Sequence, residues 1–286
     1  MTPKIAIVTD TNACLDYIDH SYDIPILRSI IHLGDQEYID FVELNAEQFY
    51  QKLKEDSSID PKTSQPSNAS MIEVYQSLLQ KKYTDVIVVT ISSKMSGIYG
   101  SAQVAAKAVP GITVHVFDSK SVAYAQAKMV LTAARMIEKN QSVSTILNAL
   151  EVIRDNNHIY FAVDTLKYLV KNGRLSNAQG MVGSMLKIKP LLHVSDAGQV
   201  ESVEKIRTFT KAVDRVIERY LEETAGKNVE PFICHANNPT MRDYITNQLK
   251  AHDATIDTVF SMPLTPAVGA HSGPGAIGLG YIVKTD

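Results

Sequence analysis

The chain has 286 residues, 45% hydrophobic and 21% charged, enough apolar content for substantial buried cores and enough length for two domains. Its 28 Lys and Arg against 31 Asp and Glu leave a formal net charge of -3, which excludes the strong basic field that draws proteins to nucleic acid. No segment has the unbroken apolar length needed to span a bilayer, and the opening MTPKIAIVTDTNA lacks the pattern of a leader, so a cytoplasmic location is expected.

The first expected strand is Lys4 to Thr9, an apolar run ending in the polar Asp10-Thr11-Asn12. Residues 45 to 55 are expected to be helical, with Asn45 and Gln48 spaced as a capping box. After the Ser/Pro-rich stretch Ser57 to Ser67, Asn68 opens a helix with Met71, Val74, Tyr75, Leu78 and Leu79 on one face. Asp85 to Ile91 is a second buried strand, followed by a turn over Ser92 to Gly97 and a helix towards Val109. A third strand, Thr113 to Phe117, ends in Asp118-Ser119. Helices then reach about Lys139 and cover Ser144 to Asp155. Strand, polar loop and helix, repeated three times, predict an N-terminal, largely parallel α/β sheet domain.

Beyond Asn157 the texture changes. Strands are expected at His158 to Val163, Ile188 to Val194 and Val200 to Lys205, with Ser195-Asp196-Ala197-Gly198 as a hairpin turn. Helices over Phe209 to Glu223 and Pro239 to Lys250 flank a strand at Pro231 to His235, and a final strand is expected at Thr255 to Phe260. The expected division is a domain of residues 1–157 and a C-terminal α+β domain of residues 158–286, with a ligand between them.

Ligands of parallel α/β sheets bind beyond the carboxyl ends of the strands. The loops there, Asp10-Thr11-Asn12, Thr63 to Ser67, Ser92 to Gly97 and Asp118-Ser119, concentrate hydroxyls where helices begin, an arrangement suited to an anion such as a carboxylate. Each alone is also an ordinary set of helix caps. Pro266 to Gly275 is read as a Gly/Pro loop with His271 as its titratable group. Gly273, Gly275 and Gly278 match GxGxxG, but a dinucleotide fingerprint opens a βαβ unit with an acidic residue further on, and this chain ends at Asp286. No phosphate loop of the GxxxxGK[ST] type is present, and Ser96 lies in Lys-Met-Ser-Gly-Ile rather than a nucleophile elbow. Cys14 and Cys234 stand far apart, and the eight histidines form no metal motif, so no metal or cofactor is expected.

These fragments together resemble the DegV family, whose members include the fatty-acid-binding subunits of bacterial fatty acid kinase. The resemblance is carried in order by TDT from Thr9, KTSQPS from Lys62, SSKMSGIYGSA from Ser92, DSKSVAYAQ from Asp118, KNGRLS from Lys171, KIKPLL from Lys187 and GAHSGPGAIGL from Gly269. Thr11, Ile98 and Ala125 depart from the family's usual Ser, Thr and Gly. The resemblance implies a long-chain fatty acid as ligand, with its carboxylate held by Thr63, Ser96, Gly97 and His271 and with Ser93 and Ser119 as outer contributors. It implies that the chain is not itself an enzyme but presents the acid to an ATP-dependent kinase subunit, for acyl-phosphate formation that feeds phospholipid synthesis. Arg174 is then expected to dock that kinase, and the surrounding Lys167, Lys171, Lys187 and Lys189 to touch an anionic membrane transiently.

The physical chemistry is consistent with this reading. Each buried methylene contributes ~0.8 kcal/mol, so an apolar tunnel supplies affinity without a head-group salt bridge. Keeping Arg and Lys away from the carboxylate leaves its oxygen free to attack a phosphoryl group. The competing readings are an autonomous enzyme, a hydrolase or a dihydroxyacetone-kinase-like subunit using Ser96 and His271, and a lipid carrier without a kinase. Gln126 to Met136 reads as ordinary core, with tunnel wall the weaker alternative.

Overall fold

The computed structural model describes residues 3–176, 188–253, 256 and 258–284. In the N-terminal part the strands are β1 (Ile5–Asp10), β2 (Ile26–Leu27), β3 (Ile30–Leu33), β4 (Gln36–Ile39), β5 (Lys62–Ser64), β6 (Asp85–Thr90) and β7 (Thr113–Asp118). Its helices are α1 (Ala46–Glu55), α2 (Asn68–Gln80), α3 (Ile98–Lys107), α4 (Tyr124–Glu138) and α5 (Val143–Asp155). The C-terminal part contributes β8 (Asn157–Ala162), α6 (Lys167–Lys171), β9 (Leu191–Val194), β10 (Val200–Glu204), α7 (Phe209–Thr224) and β11 (Val229–His235). It continues with α8 (Pro239–His252), β12 (Phe260–Pro263), α9 (Pro266–Ser272) and β13 (Ile277–Val283).

A four-stranded sheet in the order β2-β1-β6-β7 is parallel throughout. The pleat explains its two cores, because alternate residues face opposite sides. Ile5, Ile7, Ile87 and Val89 meet Met129, Val130, Ala133, Ile146 and Leu150 of α4 and α5, while Ala6, Val8, Val86 and Val88 meet Met71, Tyr75 and Leu78 of α2 and Ala102 and Ala105 of α3. The stretch 126–136 is therefore core beneath this sheet. The Asn45–Gln48 capping box starts α1 as its spacing predicts.

The second sheet runs β10-β9-β8-β13-β11-β12. All its pairings are antiparallel except β11 with β12. The β9–β10 hairpin forms around the expected turn, with Gly198 at φ +79. The fold is thus mixed α/β, with a parallel sheet in the N-terminal part and a helix-covered, mostly antiparallel sheet in the C-terminal part.

Three regions depart from the sequence-based expectation. The expected strand at Thr255 to Phe260 falls partly outside the described residues, and β12 begins only at Phe260. The stretch read as a Gly/Pro loop holds helix α9, with Pro266 at its first turn and Gly273, at φ +78, ending it. The following residues form β13 at the middle of the second sheet. Gly273 and Gly275 shape the turn out of α9 and Gly278 lies within β13, so the GxGxxG spacing belongs to a helix-to-strand connection. Finally, β4-β3-β5 form a small antiparallel sheet that packs against α9, an arrangement no sequence pattern announced.

Candidate functional site

The loops at the carboxyl ends of β1 and β6 are tied together by one buried side chain. Asp10 Oδ1 accepts from the Asn12 backbone N–H at 2.9 Å and from Asn12 Nδ2 at 2.8 Å, while Oδ2 accepts from the Ile91 N–H at 2.8 Å. Burial pushes the Asp10 carboxyl up, and these donors oppose it. The Ala123 N–H donates to Asn12 O at 2.9 Å, and the Ser92 N–H to Ser121 O at 2.9 Å, so the three loops form one hydrogen-bonded unit.

Between this unit, the small sheet, α9 and the second sheet lies a cavity of about 310 Å³, within the range of small-molecule sites. Its apolar walls come from every layer: Ile91 and Met95 from the parallel sheet's loop, Ile159 and Phe161 from β8, Val194 and Val200 from the hairpin. Its polar lining is Asn12, Ser29, Thr63, Gln65, Ser96, Gly97, Arg174, His271 and Ser272, with no carboxylate among the described residues that line it.

At the polar end Thr63 Oγ1 on β5 lies 2.8 Å from His271 Nε2 on α9, joining positions 208 residues apart. Burial first, and the Arg174 charge second, hold the imidazole down at about pKa 4, so it is neutral at pH 7. Its Nδ1 is buried without a hydrogen-bond partner among the described residues. The Ser96 hydroxyl accepts from the Ile98 N–H at 3.4 Å, the close approach that opens α3. A Cβ on Gly97 would stand 2.6 Å from Gln65 Oε1, so glycine there lets the backbone reach the β5 loop.

Thr63, Ser96, Gly97 and His271 are therefore brought to one cavity. Ser93 and Ser119 are not on its wall: Ser93 is exposed with its N–H on Asp118 Oδ1, and Ser119 is fully buried, its hydroxyl donating to Ser121 O at 3.1 Å. Both brace the loops behind the site. Arg174 lines the cavity, with Nε donating to Met95 O at 3.2 Å and Nη1 to Asn172 O. The polar end of the cavity therefore holds a cation, contrary to the expectation from sequence, because the turn after α6 folds back over the Ser92–Gly97 loop.

The other basic residues of that segment are paired. Lys167 and Lys171 both meet Asp60, and Lys189 meets Asp164 at 2.9 Å; Lys187 lies outside the described residues. Sequence reasoning missed Ser29, which precedes β3 with no motif around it. It also missed the place of Cys234 on the cavity lining, where burial pushes its thiol up to about 12. Ser96 and His271 share the cavity, but no hydrogen bond joins them, as His271 Nε2 is taken by Thr63.

The model of the family described as "Uncharacterised protein, DegV family" matches residues 4–284. The chain belongs to the DegV family. A DegV domain-containing protein of Halalkalibacterium halodurans is 34% identical over 283 residues, covering 98% of this chain and 99% of that relative. Among solved structures, the fatty acid binding DegV family protein of Streptococcus agalactiae superposes with a TM-score of 0.89 at 29% identity, over 99% of this DegV chain and 100% of the other. DegV of Bacillus subtilis, described as a fatty acid binding protein, gives 0.86 at 32% identity over 99% and 100%. A stearic acid-binding protein of Eubacterium ventriosum gives 0.86 at 25% identity over 98% of each chain.

Proposed function

We propose that this DegV protein binds a long-chain fatty acid in the cavity, acyl chain against the apolar walls and carboxylate at the Thr63, Ser96, Gly97 and His271 end. The observation that carries the reading is an apolar cavity closed at one end by the Thr63–His271 pair. Burial of methylenes at ~0.8 kcal/mol each supplies the affinity, and the polar end supplies orientation. A neutral imidazole and hydroxyls donate hydrogen bonds to the carboxylate, and Arg174 on the same wall already gives Nε to Met95 O and Nη1 to Asn172 O. That leaves an oxygen nucleophilic enough to take a phosphoryl group.

On this reading residues 1–157 and 158–286 are the two domains, the protein is a non-catalytic cytoplasmic subunit, and an ATP-dependent kinase subunit phosphorylates the presented carboxylate for phospholipid synthesis. Arg174 serves that encounter as well as the pocket. The lysines of its segment are drawn to an anionic membrane when lipid is exchanged. Arg174→Gln is expected to lower acyl-phosphate formation with a kinase subunit more than it lowers fatty acid binding. Equal loss of both would confine Arg174 to the pocket.

The primary test is the native mass of the purified protein before and after organic extraction, with identification of the released compound. One fatty acid per chain is the expected result. A mass equal to the bare polypeptide, with no fatty acid taken up on incubation, would remove the proposal.

A further inference from the structure

Helix α9, which carries His271, is held at both ends by the same small sheet. At its last turn His271 Nε2 meets Thr63 of β5 at 2.8 Å. At its first turn the Ala267 N–H donates over 3.0 Å to Asp40 Oδ2, one residue past the end of β4. Asp40 is fully buried, its own N–H donates to Ser29 O at 3.0 Å, and the Thr11 hydroxyl faces its carboxylate, whose Oδ1 has no hydrogen bond of good geometry among the described residues.

The groups facing Asp40 do not neutralise it. Asp16 and Tyr17 face it from the short turn at Leu15–Tyr17, Cys14 from just before that turn, Tyr50 from α1 and Arg28 from the segment between β2 and β3. Arg28 gives Nη1 and Nη2 to the Asp16 carboxylate at 2.6 and 2.7 Å. From α9 itself comes only the Ala267 N–H. A buried carboxylate without an ion pair costs stability, so its presence calls for a use.

We propose that Asp40 is a positioning residue: its carboxylate fixes the start of α9, and through that helix the seat of His271 against Thr63, so that the ionised form strengthens head-group capture. The inference rests on the fatty acid reading above but on a contact outside the head-group set. Burial pushes the Asp40 carboxyl up to about 7, against Thr11, the Ala267 N–H and Arg28. Protonation therefore falls in an accessible pH range, well above that of His271. It replaces a charge-assisted hydrogen bond by a neutral one, and affinity is expected to fall about fivefold between pH 8 and pH 6.

The test titrates delipidated full-length protein and Asp40→Asn with palmitate at pH 6, 7 and 8, alongside melting curves. The ligand's own ionisation is common to both proteins and cancels in the comparison. The wild type is expected to lose affinity relative to the variant as the pH falls, while the variant at pH 8 binds as weakly as the wild type at pH 6. A raised carboxyl binds its proton more tightly in the fold, so wild-type melting temperature should drop relative to the variant as pH rises through 7. Reduced binding joined to relieved instability is not what a structural residue gives.

Parallel pH profiles for the two proteins would overturn the inference and leave the functional reading standing. If the variant fails to fold, the wild type is titrated with palmitic acid methyl ester, which has no ionising group. An inflection near pH 7 then supports the role of Asp40, and a flat profile removes it. No palmitate binding by the wild type at any pH removes both the reading and this inference.

Discussion

The parallel sheet and the wall built around α9 are both buried, but they are assembled on opposite terms. In the sheet each strand is a run of aliphatic residues whose alternate side chains meet helices adjacent in sequence, and its inner residues, such as Val88 and Ile87, are fully buried with nothing polar to satisfy. The α9 wall brings together residues 208 to 251 positions apart: Thr63 with His271, Tyr50 with Leu264 O at 3.1 Å, Ala267 with Asp40, and Cys14 with Thr265. Its polar groups are buried at a cost, and two of them, Asp40 and His271, titrate far from their ordinary ranges. The first region buries only apolar side chains, whereas the second also buries polar groups that line the cavity or lie beside it, the kind of cost a scaffold offsets.

Cavity-forming substitutions make the largest break in that contrast. Phe49→Ala, which removes a fully buried ring beside Ala267 and Ala270 of α9, is expected to cost ~3–5 kcal/mol and to lower fatty acid uptake per folded molecule. Ile87→Ala in the parallel sheet is expected to cost ~2–5 kcal/mol and to leave uptake per folded molecule unchanged. Urea unfolding together with lipid stoichiometry measures both quantities. Equal loss of uptake in the two variants would mean that the regions are not separable. Gly269→Ala probes the same wall from the other side. Its Cβ would lie 2.8 Å from Tyr50 Cζ and 3.0 Å from Phe49 Cε1, rings with no room to yield, and about 1–3 kcal/mol of destabilisation is expected.

The same contrast explains what the sequence disclosed. The runs at Ile5–Asp10 and Asp85–Thr90 are legible because a buried parallel strand needs only aliphatic residues, and the polar residues after them mark the end where ligands bind. The motif residues Thr63, Ser96, Gly97 and His271 line one cavity, but the sequence did not disclose the secondary structure of the last. Pro266 to Gly275 carries three glycines and two prolines, which outweighed the Thr265-Pro266 start and the Gly273 stop of a short helix. Strand β13 was missed because Gly278 and Gly280 weaken any strand pattern. Gly280 is needed because the Phe232 ring lies against it, with Cε2 2.6 Å from where a Cβ would stand. Asp40 gave no signal at all, since an acidic residue at a strand end looks solvated until the chain from Leu264 onward closes over it.

His271 sets a smaller effect with a definite sign. Its folded pKa, about 4, lies below the ordinary 6.5, so the unfolded chain takes up the proton first as pH falls. The neutral ring's contribution is complete above pH 6.5 and is lost progressively between 6.5 and 4. His271→Ala should therefore abolish most head-group selectivity at pH 7 while narrowing the stability difference between pH 7 and pH 5 relative to the wild type. Chemical denaturation at the two pH values checks it. An unchanged difference would show that the ring titrates no lower in the fold than in the unfolded chain.

The two cysteines give the finest discrimination, because they share one cluster and differ in what they face. Both thiols are buried and pushed up by desolvation, Cys234 to about 12, so alkylation by iodoacetamide at pH 8 should be slow at each. Only Cys234 lines the cavity, whereas Cys14 turns to the Thr265 backbone N–H at 3.5 Å. A bound fatty acid should therefore slow Cys234 further without changing Cys14, as peptide mass mapping of a time course will read. Equal protection of both thiols would indicate that the ligand acts by tightening the whole α9 wall. Protection of Cys234 alone would place the acyl chain against β11, and with it the boundary between the region that stabilises the fold and the region that holds the lipid.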